Sequence, residues 1–359
     1  MRDIIVIGGG IAGISVAARL APHAKVTVLE AESALAYHAS GRSAALFEAN
    51  YGLPSTVVLN KAGETYFHEA NGGYLSPRGL MIVGRAAEHD RFLADTATLG
   101  LEQIGLDDAL NMVPILDREQ VTHASYHSAA WDIDTDRMVQ DFARELRAHG
   151  GEVRVKAPVT AISRTEAGWA VQTPDGPYES KLIVNAAGAW VDEVATLAGV
   201  STIGFTPLRR SMARIPAPGG HDVSDWPMFF GVGESWYAKP DAGSLIVSPA
   251  EEHPMPPMDA WADDMVLAEG LARYEELVSE PVTRIEANWA GLRTFSPDRA
   301  LTIGFHTEAP DFFWHAGQGG YGFQTAPAAS LLAADLILGR ASELDDSARA
   351  ALSPQRFAS

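Results

Sequence analysis

The stretch IIVIGGGIAGISVAARLAPHAKVTVLE, Ile4 to Glu30, decides the fold. Its first five residues, IIVIG, form an apolar run of the kind found in a strand buried on both faces. IAGISVAARLA has helical composition with small residues on one side, and KVTVLE reads as a second strand. The unit is therefore βαβ in about thirty residues. Gly8, Gly10 and Gly13 form G-x-G-x-x-G between the first strand and the helix. Gly8 permits the tight turn, Gly10 lets a pyrophosphate reach the backbone, and Gly13 lets the helix pack on the strand. Ile11 and Ala12 lie in the first helical turn, where free N–H groups and the positive end of the dipole meet the phosphates. Glu30 ends the second strand, where an acid binds ribose hydroxyls and repels a 2′-phosphate. These residues predict a dinucleotide cofactor other than NADP, and leave NAD and FAD open.

Composition narrows the rest. The chain has 359 residues, enough for two domains. Its net charge of −19 excludes a nucleic-acid partner, which needs clustered Lys and Arg. The absence of cysteine excludes disulfides, thiolate metal sites and a thioether-linked cofactor, and no metal site is expected. The chain opens directly into DIIVIGGG, and no apolar run reaches 18 residues. The expectation is a cytoplasmic protein without signal peptide or transmembrane segment, monomeric by default.

After the βαβ unit comes YHASGRSAA, Tyr37 to Ala45, a small, polar segment suited to lying along a cofactor. Gly41, Arg42, Ser43 and Ala44 fall in it, with Arg42 and Ser43 placed to meet phosphate or flavin oxygens. GEVRVKAPVTAISR and GWAVQTPDGPYESKLIV read as sheet strands, with Val159 in the loop between two of them. KLIVNAAGAWVDEVATLAG is a buried strand, a small-residue turn at Ala187 and Gly188 before Trp190, and a helix. PLRRSMARIPAP and GESWYAKPDAGSLIVSPA alternate apolar and polar residues, as strands of a half-exposed antiparallel sheet do. YLSPRGLMIVG reads as a strand pair. Near the end, GQGGYGFQTAP (Gly317 to Pro327) is a second glycine-rich turn between a strand and a helix.

Together VIGGGIAGIS…VLE, HASGRSAA, VNAAGAWVD, WAGLRTFSPD and GQGGYGFQT resemble the FAD-dependent D-amino-acid oxidase superfamily, over nearly the whole chain and in the same order. Within it the motifs look most like bacterial D-arginine dehydrogenases. The resemblance implies an α/β fold: a Rossmann-like FAD-binding domain with a second antiparallel β-rich substrate domain. The FAD domain would be discontinuous, made of 1–45, 140–205 and 286–359. The substrate domain would comprise 46–139 and 206–285. FAD would bind without a covalent link. The second glycine turn, with Gly319, Gly320, Tyr321, Gly322, Gln324 and Thr325, would hold the flavin end and stabilise negative charge at its N1–C2=O edge.

The same resemblance implies a substrate carboxylate held by Arg210 and Arg293, with Tyr237 hydrogen-bonded to it. Gly320 would offer its carbonyl to the substrate amine, and Tyr51, in EANYGLPS, would close over the site. The reaction would be hydride transfer from Cα of a D-amino acid to flavin N5. The resulting imino acid then hydrolyses to a 2-oxo acid and ammonia. O2, a quinone or a carrier protein would take the electrons. Three positions depart from the arginine enzymes: Leu80 stands for an acid, Leu46 for a histidine and Phe230 for a valine. These favour a neutral or apolar side chain, since an unpaired buried charge is costly. Glu48 reads as an exposed lid carboxylate, or alternatively as an acid restored to the pocket. The other readings are a secondary amine such as sarcosine or D-proline, with FAD tethered at His38, a 2-hydroxy acid with His315 or His306 as base, and a non-catalytic flavin protein.

Overall fold

The computed structural model describes residues 2–358. The strand Arg2–Ile7 lies at the centre of an eight-stranded sheet, parallel to Val26–Leu29 on one side and Gly176–Asn185 on the other. Its side chains explain the burial. Ile4 and Val6 enter one apolar core, and Ile5 and Ile7 enter another on the opposite face. The first core takes side chains from the helices Ile11–Leu20, Pro54–Glu69, Thr135–Ala148 and Gly322–Leu338. The ten-residue strand Gly176–Asn185 changes partner along one edge. Its first half pairs antiparallel with Gly168–Thr173, and its end pairs parallel with Phe312–Ala316. The C-terminal strand and helix thus join the sheet built by the N-terminus.

The second sheet has nine strands and is antiparallel except where Leu80–Gly84 pairs parallel with Met228–Gly231. Its longest ladder joins Thr206–Pro216 to Ala287–Phe295, from Thr206 opposite Phe295 to Arg214 opposite Ala287. A boundary at 286 therefore assigns Ala287–Phe295 to the wrong sheet. The boundary at 140 likewise cuts the helix Thr135–Ala148, which packs on Ile11–Leu20. The half-exposed reading of these strands is also corrected: Pro207 to Ala213 are all buried. The reason is that both faces are covered. Met81, Val83, Phe229 and Ala238 pack with Leu267, Leu271 and Tyr274 of the helix Asp264–Glu275. Leu80, Ile82, Phe230 and Tyr237 belong to a separate apolar cluster, from which Leu80, Phe230 and Tyr237 line the cavity described below.

A third, small sheet holds Leu46–Glu48, Ala130–Ile133 and Leu75–Pro77. YLSPRGLMIVG is not a hairpin, because the chain leaves this sheet after Pro77 and enters the nine-stranded one at Leu80. Asp132 ties the two together: one oxygen meets Arg78 at 2.8 Å and the other meets Lys239 Nζ at 2.6 Å.

One close approach sets the geometry of the N-terminal turn. A Cβ at Gly13 would lie 1.9 Å from the Gly8 carbonyl oxygen, so the helix reaches its place only with glycine there. Gly13→Ala should destabilise the protein by roughly 1–3 kcal/mol, as an overpacked core position does. A thermal or urea denaturation curve superimposable on that of the parent would contradict this packing.

Candidate active site

The helix Ile11–Leu20 begins at Gly10 with no capping side chain of its own. The amides of its first turn have no intrahelical acceptors. Ile11 N–H finds one in Ser40 Oγ at 3.0 Å. Glu30 is buried at the same turn, and its two oxygens accept the Gly9 and Glu32 amides at 2.7 and 2.8 Å. Around this turn lies a cavity of about 350 Å³, lined by Gly8, Gly10, Glu30, His38, Val159, Ala187, Gly188 and Trp190. Through Gly10, Ser40, Arg42 and Gly188 it shares walls with a second cavity of about 410 Å³. The second is lined by Ile11, Ala12, Ser43 and Ala44, and by Gly319, Gly320, Gly322 and Gln324 of the C-terminal turn. The two uncapped helix starts, at Gly10 and at Tyr321, thus stand on one trench.

The second cavity also gathers Arg210, Arg293, Tyr237, Tyr51, Leu46, Glu48, Leu80 and Phe230 in its wall. Six sequence candidates line neither cavity: Gly13, Gly41, Tyr321, Thr325, His306 and His315. Gly13 and Gly41 are needed for close backbone contacts. Thr325 donates its hydroxyl to Tyr321 O at 2.8 Å, and the Tyr321 ring packs 5.4 Å from that of Tyr51. Arg42 lines the trench, but its guanidinium is committed elsewhere. It binds Asp259 and donates to the carbonyls of Ala260 and Ala290 at 2.9 Å. It fastens the 39–42 turn to the second sheet rather than offering itself to a phosphate or flavin oxygen. Ser43 Oγ is engaged as well, accepting from Ala45 N–H at 3.1 Å.

The two arginines differ. Arg210 is saturated: Nε donates to Glu251 O at 3.0 Å, one terminal nitrogen meets Glu234 at 3.0 Å, and the other meets Glu252 at 3.5 Å. Arg293, among the described residues, has no ion-pair partner and no hydrogen bond. Burial works against its charge, but Tyr51, Tyr237 and Glu234 around it hold its pKa above the ordinary value. Gly320 makes room for it, since a Cβ there would meet the Arg293 guanidinium at 3.0 Å. The Tyr237 hydroxyl is buried and, among the described residues, has no hydrogen-bond partner. The cavity wall therefore holds an unpaired guanidinium and, behind it, a buried and unpartnered hydroxyl, a combination that suits a carboxylate.

Glu234 went unnoticed in the sequence. It stands beside Gly233 in a loop with no motif of its own, and its φ of 54° is unusual for a residue other than glycine. One oxygen takes Arg210, and the other accepts the Tyr51 hydroxyl at 2.9 Å, which closes the Tyr51 loop over the cavity. Burial raises the Glu234 pKa, but Arg210, Arg293 and the Tyr51 hydrogen bond outweigh it, and the net shift is downward. Ser40 was missed too, although it lies inside the quoted HASGRS segment.

Glu48 is not the exposed lid carboxylate expected from its sequence position: the residue is only 2% exposed. Its neighbour in strand phase is Leu46, on the same face. One oxygen accepts the Asn50 amide at 2.9 Å, and the other lies 2.8 Å from His127 Nε2. The candidate histidines sit elsewhere. His38 lines the first cavity, bonded to Glu32 at 3.0 Å and packed on Trp190. His306 and His315 line neither cavity. Trp314 donates to His306 at 3.2 Å, and burial lowers the His315 pKa to about 4.

A βαβ glycine turn with a buried acid, opening into a trench shared with a second glycine turn, has the form of a dinucleotide-binding site. The chain belongs to the FAD dependent oxidoreductase family, DAO, whose model matches residues 3–336. The residues fit its cofactor, since uncapped helix starts and unobstructed glycine backbone line the trench at both ends. Mitochondrial dimethylglycine dehydrogenase of Homo sapiens is 25% identical over 94% of this chain and 42% of that protein. Mitochondrial L-2-hydroxyglutarate dehydrogenase of Caenorhabditis elegans is 25% identical over 56% of this chain and 50% of that protein. The chain thus spans about half the length of these curated relatives. Among solved structures, glycine oxidase from Geobacillus kaustophilus matches with a TM-score of 0.81 at 21% identity, covering 96% of each chain. L-α-glycerophosphate oxidase from Mycoplasma pneumoniae, with FAD bound, matches with a TM-score of 0.84 at 19% identity, covering 96% of this chain and 97% of that one. These likenesses show the fold.

The Glu234 contacts carry a pH dependence of definite sign. A carboxylate whose folded pKa is depressed stabilises the folded state fully above its unfolded value, about 4.3, and loses that contribution as pH falls through the folded value. The stability difference between the parent and Glu234→Gln should therefore be constant from pH 8 to 6 and shrink below about pH 4.3. A difference that grows on acidification would contradict the ion pair.

Proposed function

We propose that the protein oxidises a D-amino acid at the trench, with its carboxylate held by Arg293 and Tyr237. The observation that carries this reading is the unpaired Arg293 guanidinium beside the unpartnered Tyr237 hydroxyl. FAD, when bound, takes the two electrons released as the substrate Cα–N bond becomes an imine. Gly8, Gly10, Ile11 and Ala12 would hold its pyrophosphate, Glu30 a ribose, and Gly319, Gly320 and Gly322 its other end. Val159, Ala187, Gly188 and Trp190 would flank the nucleotide, and Gln324 would lie near the opposite end. Noncovalent binding is proposed, because His38 lies in the cavity of the nucleotide end, bonded to Glu32.

The chain's own residues then act by orientation. Arg293 forks onto both carboxylate oxygens, Tyr237 donates a hydrogen bond, and the Gly320 carbonyl accepts a hydrogen bond from the amine. Arg210 reaches the substrate only where Glu234 yields its place, so it reads as a second, exchangeable arm of the clamp. Tyr51 excludes water as its loop closes. The wall of Leu46, Leu80, Met212, Met228 and Phe230 takes an apolar side-chain stem. The motif likeness to D-arginine dehydrogenases supports the D enantiomer.

An amine is preferred to a 2-hydroxy acid for a physical reason. A hydroxyl must give up a far less acidic proton and needs a positioned base, usually histidine. Among the described residues no histidine lines the second cavity, and neither His306 nor His315 reaches it.

Anaerobic mixing of the flavin-loaded protein with D-amino acids, L-amino acids, sarcosine and 2-hydroxy acids tests the reading directly. D-amino acids should bleach the flavin fastest. Arg293→Leu should lower the second-order rate constant of reduction by about 30-fold or more, the cost of removing a charged partner. Tyr237→Phe should lower it by about tenfold. Bleaching by hydroxy acids or sarcosine alone would overturn the substrate, and an unchanged rate in Arg293→Leu would overturn the clamp.

A further inference from the structure

The eight-stranded and nine-stranded sheets share no strand among the described residues, so their alignment depends on the contacts between them. Two of these contacts fall on the strand that carries Arg293. On one side, the Gly319 N–H of the C-terminal glycine turn donates to Thr294 O at 2.9 Å. On the other, Arg42 donates to Ala290 O at 2.9 Å. Arg293 thus lies between two points at which its strand is fastened to segments that line the trench.

The turn 39–42 walls both cavities. Its cofactor side is held by Ser40, whose Oγ accepts Ile11 N–H, and by the Ala36 N–H, which donates to Gly9 O at 3.0 Å. Its other side rests on Gly291, where a Cβ would stand 3.5 Å from Ala39 Cα. Gly291 lies opposite Arg210 and, two positions before Arg293, shares its face of the strand. Arg42 secures this contact from both directions. The terminal nitrogen that reaches Ala290 O also reaches Ala260 O at 2.9 Å, and the other meets Asp259. In return, Trp289 Nε1 donates to Arg42 O at 3.1 Å. A planar guanidinium serves three such acceptors at once, whereas an ammonium on a flexible stem serves them poorly. The Arg42 side chain is 17% exposed and that of Asp259 59%, so the carbonyl bonds are the shielded part of the contact.

We propose that Arg42 is a positioning residue that couples the cofactor trench to the carboxylate site, by setting the strand of Arg293 against the turn that walls both cavities. Its guanidinium acts through Ala290 and the turn, not on either ligand. Loss of this joint loosens both sites together, although they lie at different parts of the trench. The inference rests on the clamp reading above.

Two measurements on the flavin-loaded protein test this without turnover. Release of FAD on dilution is followed by flavin fluorescence. Binding of hexanoate, a carboxylate with no amine to oxidise, is followed by flavin absorbance at saturating FAD. Arg42→Met should weaken FAD and hexanoate each by about tenfold, the scale of lost hydrogen bonds from a charged donor. Arg42→Lys should recover part of both losses. Asp259→Asn should stay within about threefold of the parent in both, as removal of an exposed ion pair does. Trp289→Phe removes only the bond to Arg42 O. It should shift both constants the same way by a smaller factor, and it carries the test if Arg42→Met does not fold. A loss confined to FAD or to hexanoate would make Arg42 an anchor of one site and overturn the proposal. Parent-like constants in Arg42→Met, an equal loss in Asp259→Asn, or a parent that takes up no hexanoate would overturn it too. A merely structural role would lower the thermal midpoint and leave hexanoate affinity at saturating FAD unchanged. Arg293→Leu, titrated alongside, separates this from the clamp. Unchanged hexanoate binding there would sink Arg293 as the receptor, while the paired loss in Arg42→Met would still decide the coupling.

Discussion

Two helices in this protein start at N-cap residues that supply no capping side chain of their own, and both face the same trench. At the first, the chain is held by the contact of Gly13 on the Gly8 carbonyl, which leaves no space for a side chain. At the second, the strand Phe312–Ala316 delivers the glycine turn beside the N-terminal unit by pairing with Gly176–Asn185. Bare amides at a helix start are stable only with an acceptor, and here a dinucleotide is the natural one. The first and last parts of the chain must therefore meet in one sheet, and the substrate sheet must lie across the trench they form.

That arrangement explains where charge sits. The nine-stranded sheet brings Arg210 and Arg293 to adjacent strands, with Tyr237 farther along. Buried guanidinium groups need counter-charges, and the protein supplies them to Arg210 through Glu234 and Glu252. Arg293, among the described residues, forms no ion pair of its own. Its exposure to the cavity, rather than the number of arginines, is what makes the site a carboxylate receptor. The Tyr51–Glu234–Arg210 contacts link that receptor to the loop over it, so the closing element is held by the same charges that serve binding.

Much of the first half of this picture was legible in the sequence. IIVIGGGIAGIS and Glu30 follow from strand, turn and helix rules over short distances, and their structural places agree with those rules. Arg293, Tyr237 and Gly320 were legible only through motif likeness, since nothing local marks a strand arginine as facing a cavity. The rest depended on pairing between distant segments. Ala287–Phe295 joins the substrate sheet because of its nine-position ladder with Thr206–Arg214, which no window of sequence displays. Arg42 looked free for a cofactor because Asp259 lies over two hundred residues away. Glu48 looked exposed because its neighbours include the lid, whereas its burial comes from the strand Ala130–Ile133 and from His127.

The central claim is that Arg293 and Tyr237 receive the substrate carboxylate. A crystal structure of the flavin-loaded protein, reduced anaerobically by a D-amino acid and holding its imino-acid product, tests it most directly. The account predicts both carboxylate oxygens on the Arg293 guanidinium, with the Tyr237 hydroxyl donating to one of them. A product whose carboxylate lies away from Arg293, at the His127 wall or toward Arg91, would contradict it.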